Sequence, residues 1–242
     1  MTAVSTAADT RDVVHGLGGA FLTSPELAEQ EAAAGQPAGV LRLVGRASAL
    51  GAPTPAVATE ALGVHPAQVV EQAHADCTLL AEDALAAYLE GLRQWSATAL
   101  AGATTPDRTA DLIFEVVDHA GAGGLLLFAG LRAADRPHGG PQRLGHALML
   151  LRELRGGLHF AALRACGIPV PVALLADPRA EPLADLGWTP AEVDALTAAA
   201  AALPHLHARW EAAEEATNLR TDELLAVLGP ARTELHMALL AI

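Results

Sequence analysis

The chain contains no lysine. All fifteen of its basic residues are arginine, set against 28 acidic ones, for a net charge of −13. A protein that grips a nucleic-acid duplex needs several phosphate contacts from a basic face, and the arginines do not cluster along the sequence. The acidic balance therefore speaks against nucleic acid and against anionic membrane surfaces as partners. Aromatic residues make up only 3%, so a core must be built from Ala, Leu and Val, and strand-forming residues are scarce. No apolar run approaches the ~20 residues of a membrane span. The opening stretch, residues 1–14, lacks the charged and apolar regions of an export signal, so a cytoplasmic location is the default expectation. Cysteine occurs twice, as Cys77 and Cys166, without metal-type spacing and within apolar helical patterns. That points to buried reduced thiols rather than a disulfide.

What the sequence does contain favours helix. Hydrophobic residues reach 52%, alanine has the highest helix propensity, and small side chains let helices pack closely. The expectation is an all-α fold of two helix-turn-helix, degenerate winged-helix-like units packed into one helical assembly. Residues 1–9 read as a disordered tail, residues 10–104 as the first unit and residues 105–242 as the second.

In the first unit, helices are expected over 10–22, 25–34, 39–50, 55–62 and 66–90, with Gly63 as the turn before the long last one. In the second, they are expected over 107–119, 125–134, 142–155, 158–166, 171–176, 190–201 and 205–226. Gly156-Gly157 reads as a helix break. An internal echo supports two units. Leu62-Gly63-Val64-His65-Pro66-Ala67-Gln68-Val69 matches Leu186-Gly187-Trp188-Thr189-Pro190-Ala191-Glu192-Val193, as a duplicated element would.

Among the ten histidines, His15, His146 and His159 stand out. His146 and Glu153 lie seven residues apart, on one face of a helix. His159 follows the Gly-Gly step, where a bend would bring it back towards them. A histidine from the first helix, His15, would close the group. Three imidazoles and a carboxylate suit a divalent transition metal, a haem iron or general acid–base catalysis. On this reading His15, His146, His159 and Glu153 are the catalytic candidates, with the three histidines as metal ligands. Arg152 and Arg155 on the same helix would hold a substrate carboxylate. The competing reading is three partly buried, hydrogen-bonded core histidines and a set of ordinary ion pairs. No tightly spaced metal motif is present.

Several segments carry a resemblance: Val14-His15 with Phe21-Leu22-Thr23-Ser24-Pro25-Glu26, then Val44 to Gly51, His146 to His159, Leu186-Gly187-Trp188, and Glu214 to Asn218. In these the chain resembles the SalK-like helix-turn-helix family, largely uncharacterised actinobacterial proteins, some encoded near natural-product genes. The chain departs from that pattern at Leu154, where the family often has histidine. It departs again at 195–203, where an Ala-rich run replaces the wing-like hairpin that usually precedes the last helix. The resemblance implies the fold and little mechanism.

The function expected is a small-molecule-binding protein or enzyme of specialised metabolism, with a histidine-lined pocket between two helical halves. Whether a metal or haem serves it is left open, as is a homodimer. The alternatives are a helix-turn-helix transcriptional regulator and a non-catalytic, partner-binding helical protein. Against the regulator stands the segment in the recognition-helix position, 66–75, which has neither Arg nor Lys to meet base edges or phosphates.

Overall fold

The computed structural model describes residues 5–242, and among these there is no strand. The expected tail is helical from Thr6 onward, and its first four residues lie outside the described ones. Ser5 caps helix α1 (Thr6–Leu22), accepting from the backbone N–H of Ala8. Ser24 and Pro25 then open α2 (Pro25–Ala33) through a side-chain cap and a proline at the first turn.

The stretch expected as one helix over 39–50 contains a widened π-helical turn, Leu41–Gly45, and a 3-10 turn, Ser48–Leu50. The buried carboxylate of Glu31 anchors its start, accepting from the backbone N–H groups of Gly39 and Leu41 at 2.9 Å each. Such widened turns recur at functional sites. Here the turn lies where Arg42 and Arg46 enter the protein.

Thr54 caps α3 (Pro55–Leu62), and Gly63, in the left-handed region at φ 75°, ends it. The helix-turn-helix is completed by α4 (Ala67–Asp76). The long helix expected over 66–90 is in fact two, because the chain turns extended at Cys77 and resumes as α5 (Ala81–Ala99). Both cysteines are free and half-buried.

The second half follows with α6 (Pro106–His119), α7 (Leu126–Arg132) and α8 (Gly140–Ala165). The expected break at Gly156-Gly157 does not occur, and α8 runs unbroken for 26 residues. Only Gly157 serves close approach. A Cβ on Gly157 would come within 2.9 Å of the Leu125 side chain, whereas one on Gly156 would meet nothing within 4 Å. The short α9 (Val170–Ala173) precedes α10 (Pro190–Ala202), which opens with a full capping box between Thr189 and Glu192. The chain closes with α11 (Leu206–Leu225), a 3-10 stretch (Ala226–Ala231) and α12 (Arg232–Leu240). No helix among the described residues is long and apolar enough to cross a membrane.

Two hydrophobic clusters hold the structure. The larger runs from Ala7 to Leu239 and draws on α1 to α8 and the C-terminal helices. It draws residues from both sides of position 104. The smaller gathers Leu163, Ile168, Val170, Val172, Ala173, Trp210 and Ala213. Helix α8 belongs to both.

The echoed segments meet one another. Trp188 Nε1 donates to the carbonyl of Val64 at 2.9 Å, Gln68 Nε2 donates to Glu192 at 2.6 Å, and the His65 ring bonds the Leu186 carbonyl at 3.1 Å. The first two contacts join matching positions of the echo. The second unit is looser as a helix-turn-helix, since residues 174–189 separate α9 from α10.

Candidate functional site

A cavity of about 300 Å³ lies between the two clusters, at the small end of ordinary ligand pockets. Leu62, Leu125, Leu127, Phe128, Phe160 and Leu163 supply much of its apolar wall. The rest of the wall is ionic. Six of the fifteen arginines line it: Arg42, Arg46, Arg152, Arg155, Arg164 and Arg179.

Two buried carboxylates, Glu153 and Glu214, organise four of these arginines, while Arg42 pairs with Glu181 at 2.8 Å and Arg179 also with Asp177 at 3.0 Å. Glu153 is 4% exposed and takes a bidentate contact from Arg46 (2.8 Å from Nη2 to each oxygen) and a further bond from Arg152 at 2.9 Å. Burial alone would push the Glu153 carboxyl up, but the charges of Arg46 and Arg152 outweigh it and hold the group below the usual carboxylate range. The second carboxylate, Glu214, faces Arg11 at 3.0 Å, Arg155 at 3.2 Å, Arg179 at 3.3 Å and His159 at 3.2 Å. It too stays ionised, with Arg155 and its neighbours reversing the effect of burial.

His159 has a defined tautomer. Its Nδ1 lies 3.2 Å from Thr217 Oγ1, and that hydroxyl donates its own proton to the Ala213 carbonyl at 2.7 Å. Nδ1 must therefore donate to Thr217 and Glu214, which leaves Nε2 with a lone pair on a residue of the cavity wall. A carboxylate-oriented imidazole of this kind is a proton acceptor. His15 also lines the cavity. Burial, with Arg152 and Arg179 nearby, keeps it neutral. His159 is likewise held neutral, by burial against the opposing pull of Glu214.

His146 is not part of this site. It lies thirteen residues before His159 on one unbroken helix, about 20 Å away at ~1.5 Å per residue. It packs against Phe114, with ring centroids 6.3 Å apart, and its buried Nε2 has no hydrogen-bond partner among the described residues. The expected group of three imidazoles is therefore not assembled, because α8 does not bend. Among the described residues no group of three or more His, Cys, Asp or Glu side chains could hold a metal ion. Of the residues singled out in the sequence, His15, Glu153, Arg152, Arg155 and His159 line the cavity. Glu153 is committed to Arg46 and Arg152, and so is an organiser of the wall rather than a free acid or base. Sequence reasoning gave no role to Arg42, Arg46, Arg179, Trp210 or Glu214. Arg46 and Glu214 do lie in two of the segments that carry the resemblance.

A pH dependence follows from two buried imidazoles. Burial lowers His65 and His146 from the ordinary 6.5 to about 4. Both are neutral in the folded protein, whereas the unfolded chain takes up protons below 6.5. The stability due to the neutral rings is thus complete above 6.5 and declines as pH falls towards 4. The slope is about 1.4 kcal/mol per pH unit for each ring. Urea midpoints measured on either side of this window should fall accordingly, and His146→Met should remove part of the fall. A midpoint that stays level through the window would contradict the burial of these rings.

An all-α helix-turn-helix scaffold with an arginine-rich cavity is the class that fold and site define. The sequence model of the helix-turn-helix family matches residues 7–241, and the chain belongs to that family. No curated protein and no solved structure matches it.

Proposed function

We propose that this chain is a small-molecule-binding protein whose ligand occupies the cavity between the two hydrophobic clusters. The observation that carries this reading is the direction of the arginines. In a chain of net charge −13, six of fifteen guanidinium groups line one internal cavity. Five of the outer ones, Arg93, Arg108, Arg136, Arg143 and Arg220, each face a carboxylate. An enzymatic role would rest on His159, whose Nε2 is available to accept a proton from the occupant. The segments around Val44 and His146 favour kinship with the SalK-like branch and a place in specialised metabolism.

The transcriptional-regulator reading has the α3–α4 turn and the family itself in its favour. Against it, α4 presents Gln68, Glu71, Gln72 and Asp76 to solvent and no cation, while its first turn is tied to the second unit through Gln68 and Glu192. A gel-shift assay with the protein's own upstream DNA separates the two. Salt-sensitive, sequence-specific retardation would favour the regulator.

The ligand reading has a test of its own at Gly156. This residue lines the cavity within α8, has a helical backbone, and has open space where a side chain would begin. Gly156→Leu should raise helix stability by up to ~1 kcal/mol and fill the cavity. Small organic molecules that stabilise the wild-type protein against heat should lose that effect on the variant. Equal stabilisation of both proteins would place the ligand elsewhere.

A further inference from the structure

The ionic side of the cavity carries more donors than its carboxylates satisfy. Arg46 and Arg152 share the single carboxylate of Glu153. Arg11, Arg155 and Arg179 converge on Glu214. Buried and unpartnered among the described residues are Nε of Arg42, Arg152 and Arg155 and Nε1 of Trp210, and all four residues line the cavity. Arg152 Nε is accounted for by packing, since a Cβ on Gly18 would lie 2.4 Å from it. An unpaired buried donor is costly, and a set of donors around one cavity selects an acceptor. A cationic guest would find Glu153, Glu214, Glu181 and Asp177 already paired with guanidinium groups, and the remaining lining carboxylate, Glu60, is exposed. The basicity of His15 is lowered first by burial and then by Arg152 and Arg179, against the opposing pull of Asp177.

We propose that the occupant is an organic carboxylate with a compact apolar body. Its oxygens take the N–H groups of Arg42, Arg155 and Trp210, and its body lies against Leu62, Phe128 and Phe160. This rests on the ligand-binding reading above and specifies its chemistry. Arginine suits the role because its planar fork matches a carboxylate and stays charged when buried. The apolar wall gains by removing the body of the guest from water.

Calorimetric titration at neutral pH and fixed salt tests this with matched pairs: hexanoate, octanoate and phenylpropanoate, each beside its primary amide. At least one acid should bind at least tenfold more tightly than its amide. Arg155→Gln should weaken the acid at least tenfold and leave the amide unchanged. Arg42→Gln, at a less buried position, should do the same and guards against a folding failure of the first variant. Gly156→Leu should abolish binding of both members of a pair. If amides bind as tightly as acids and Gly156→Leu blocks both, the cavity is the site but the assignment of charge fails. If no member of the panel binds, the charge assignment falls. Should wild-type protein also show no heat stabilisation by neutral or cationic molecules, the ligand-binding reading falls with it.

Discussion

Replacing Glu153 with Gln should destabilise the protein by about 3–5 kcal/mol, the cost of leaving buried charges without their partner. Glu153 is 4% exposed and is the counter-charge to two guanidinium groups, Arg46 and Arg152. Gln keeps the volume and part of the hydrogen bonding but removes the charge. Two cations would then face one another across a neutral amide in a region of low dielectric. Arg152 is already disfavoured by burial and by Arg46, so the loss falls on a group with little reserve. Urea unfolding followed by circular dichroism measures this directly. A cost below about 1 kcal/mol would mean that water enters the cavity freely enough to screen the cluster, and the site would then be an open cleft.

Gly130→Ala should cost about 3 kcal/mol or more, at the upper end of overpacking substitutions. A Cβ on Gly130 would lie 2.2 Å from the carbonyl oxygen of Ala49 and 2.7 Å from its carbon. The obstacle is backbone, so no rotamer change relieves it. Helix α7 would have to withdraw from the 3-10 turn at Ser48–Leu50, carrying Leu127 and Phe128 away from the cavity wall. The same change at Gly16 provides the contrast. Nothing lies within 4 Å of a Cβ there, and alanine should stabilise α1 by up to ~1 kcal/mol. Equal effects at the two positions in urea unfolding would show that α7 does not press on Ala49.

The helical class and many boundaries were legible because their signals are local. Ser24-Pro25, Thr54-Pro55 and Thr189-Pro190-Ala191-Glu192 each combine a side-chain cap with a proline at the first turn, and each opens a helix where expected. Glycines misled where their role was set by a distant neighbour. Gly156-Gly157 reads as a break, but Leu125 and the cavity account for it. Because α8 is unbroken there, His146 and His159 stand far apart along it. The split between α4 and α5 was missed because Cys77 to Leu80 contains neither glycine nor proline. The site was half legible for the same reason. Helix periodicity brings Arg152, Glu153 and Arg155 to notice, but their partners Arg46 and Glu214 lie 107 and 59 residues away. Only the tertiary fold reveals that pairing.

The meeting of the two echoed segments has a consequence for the order in which the molecule assembles. The bond between His65 and Leu186 spans 121 residues, and contacts of such separation close late because chain entropy opposes them. Leu62, Val64, His65 and Leu186 all belong to the chamber wall. A chain growing from its N-terminus can therefore bury most of its larger cluster before the chamber exists, and capacity for a guest arrives only as the last third of the polypeptide folds back onto the first.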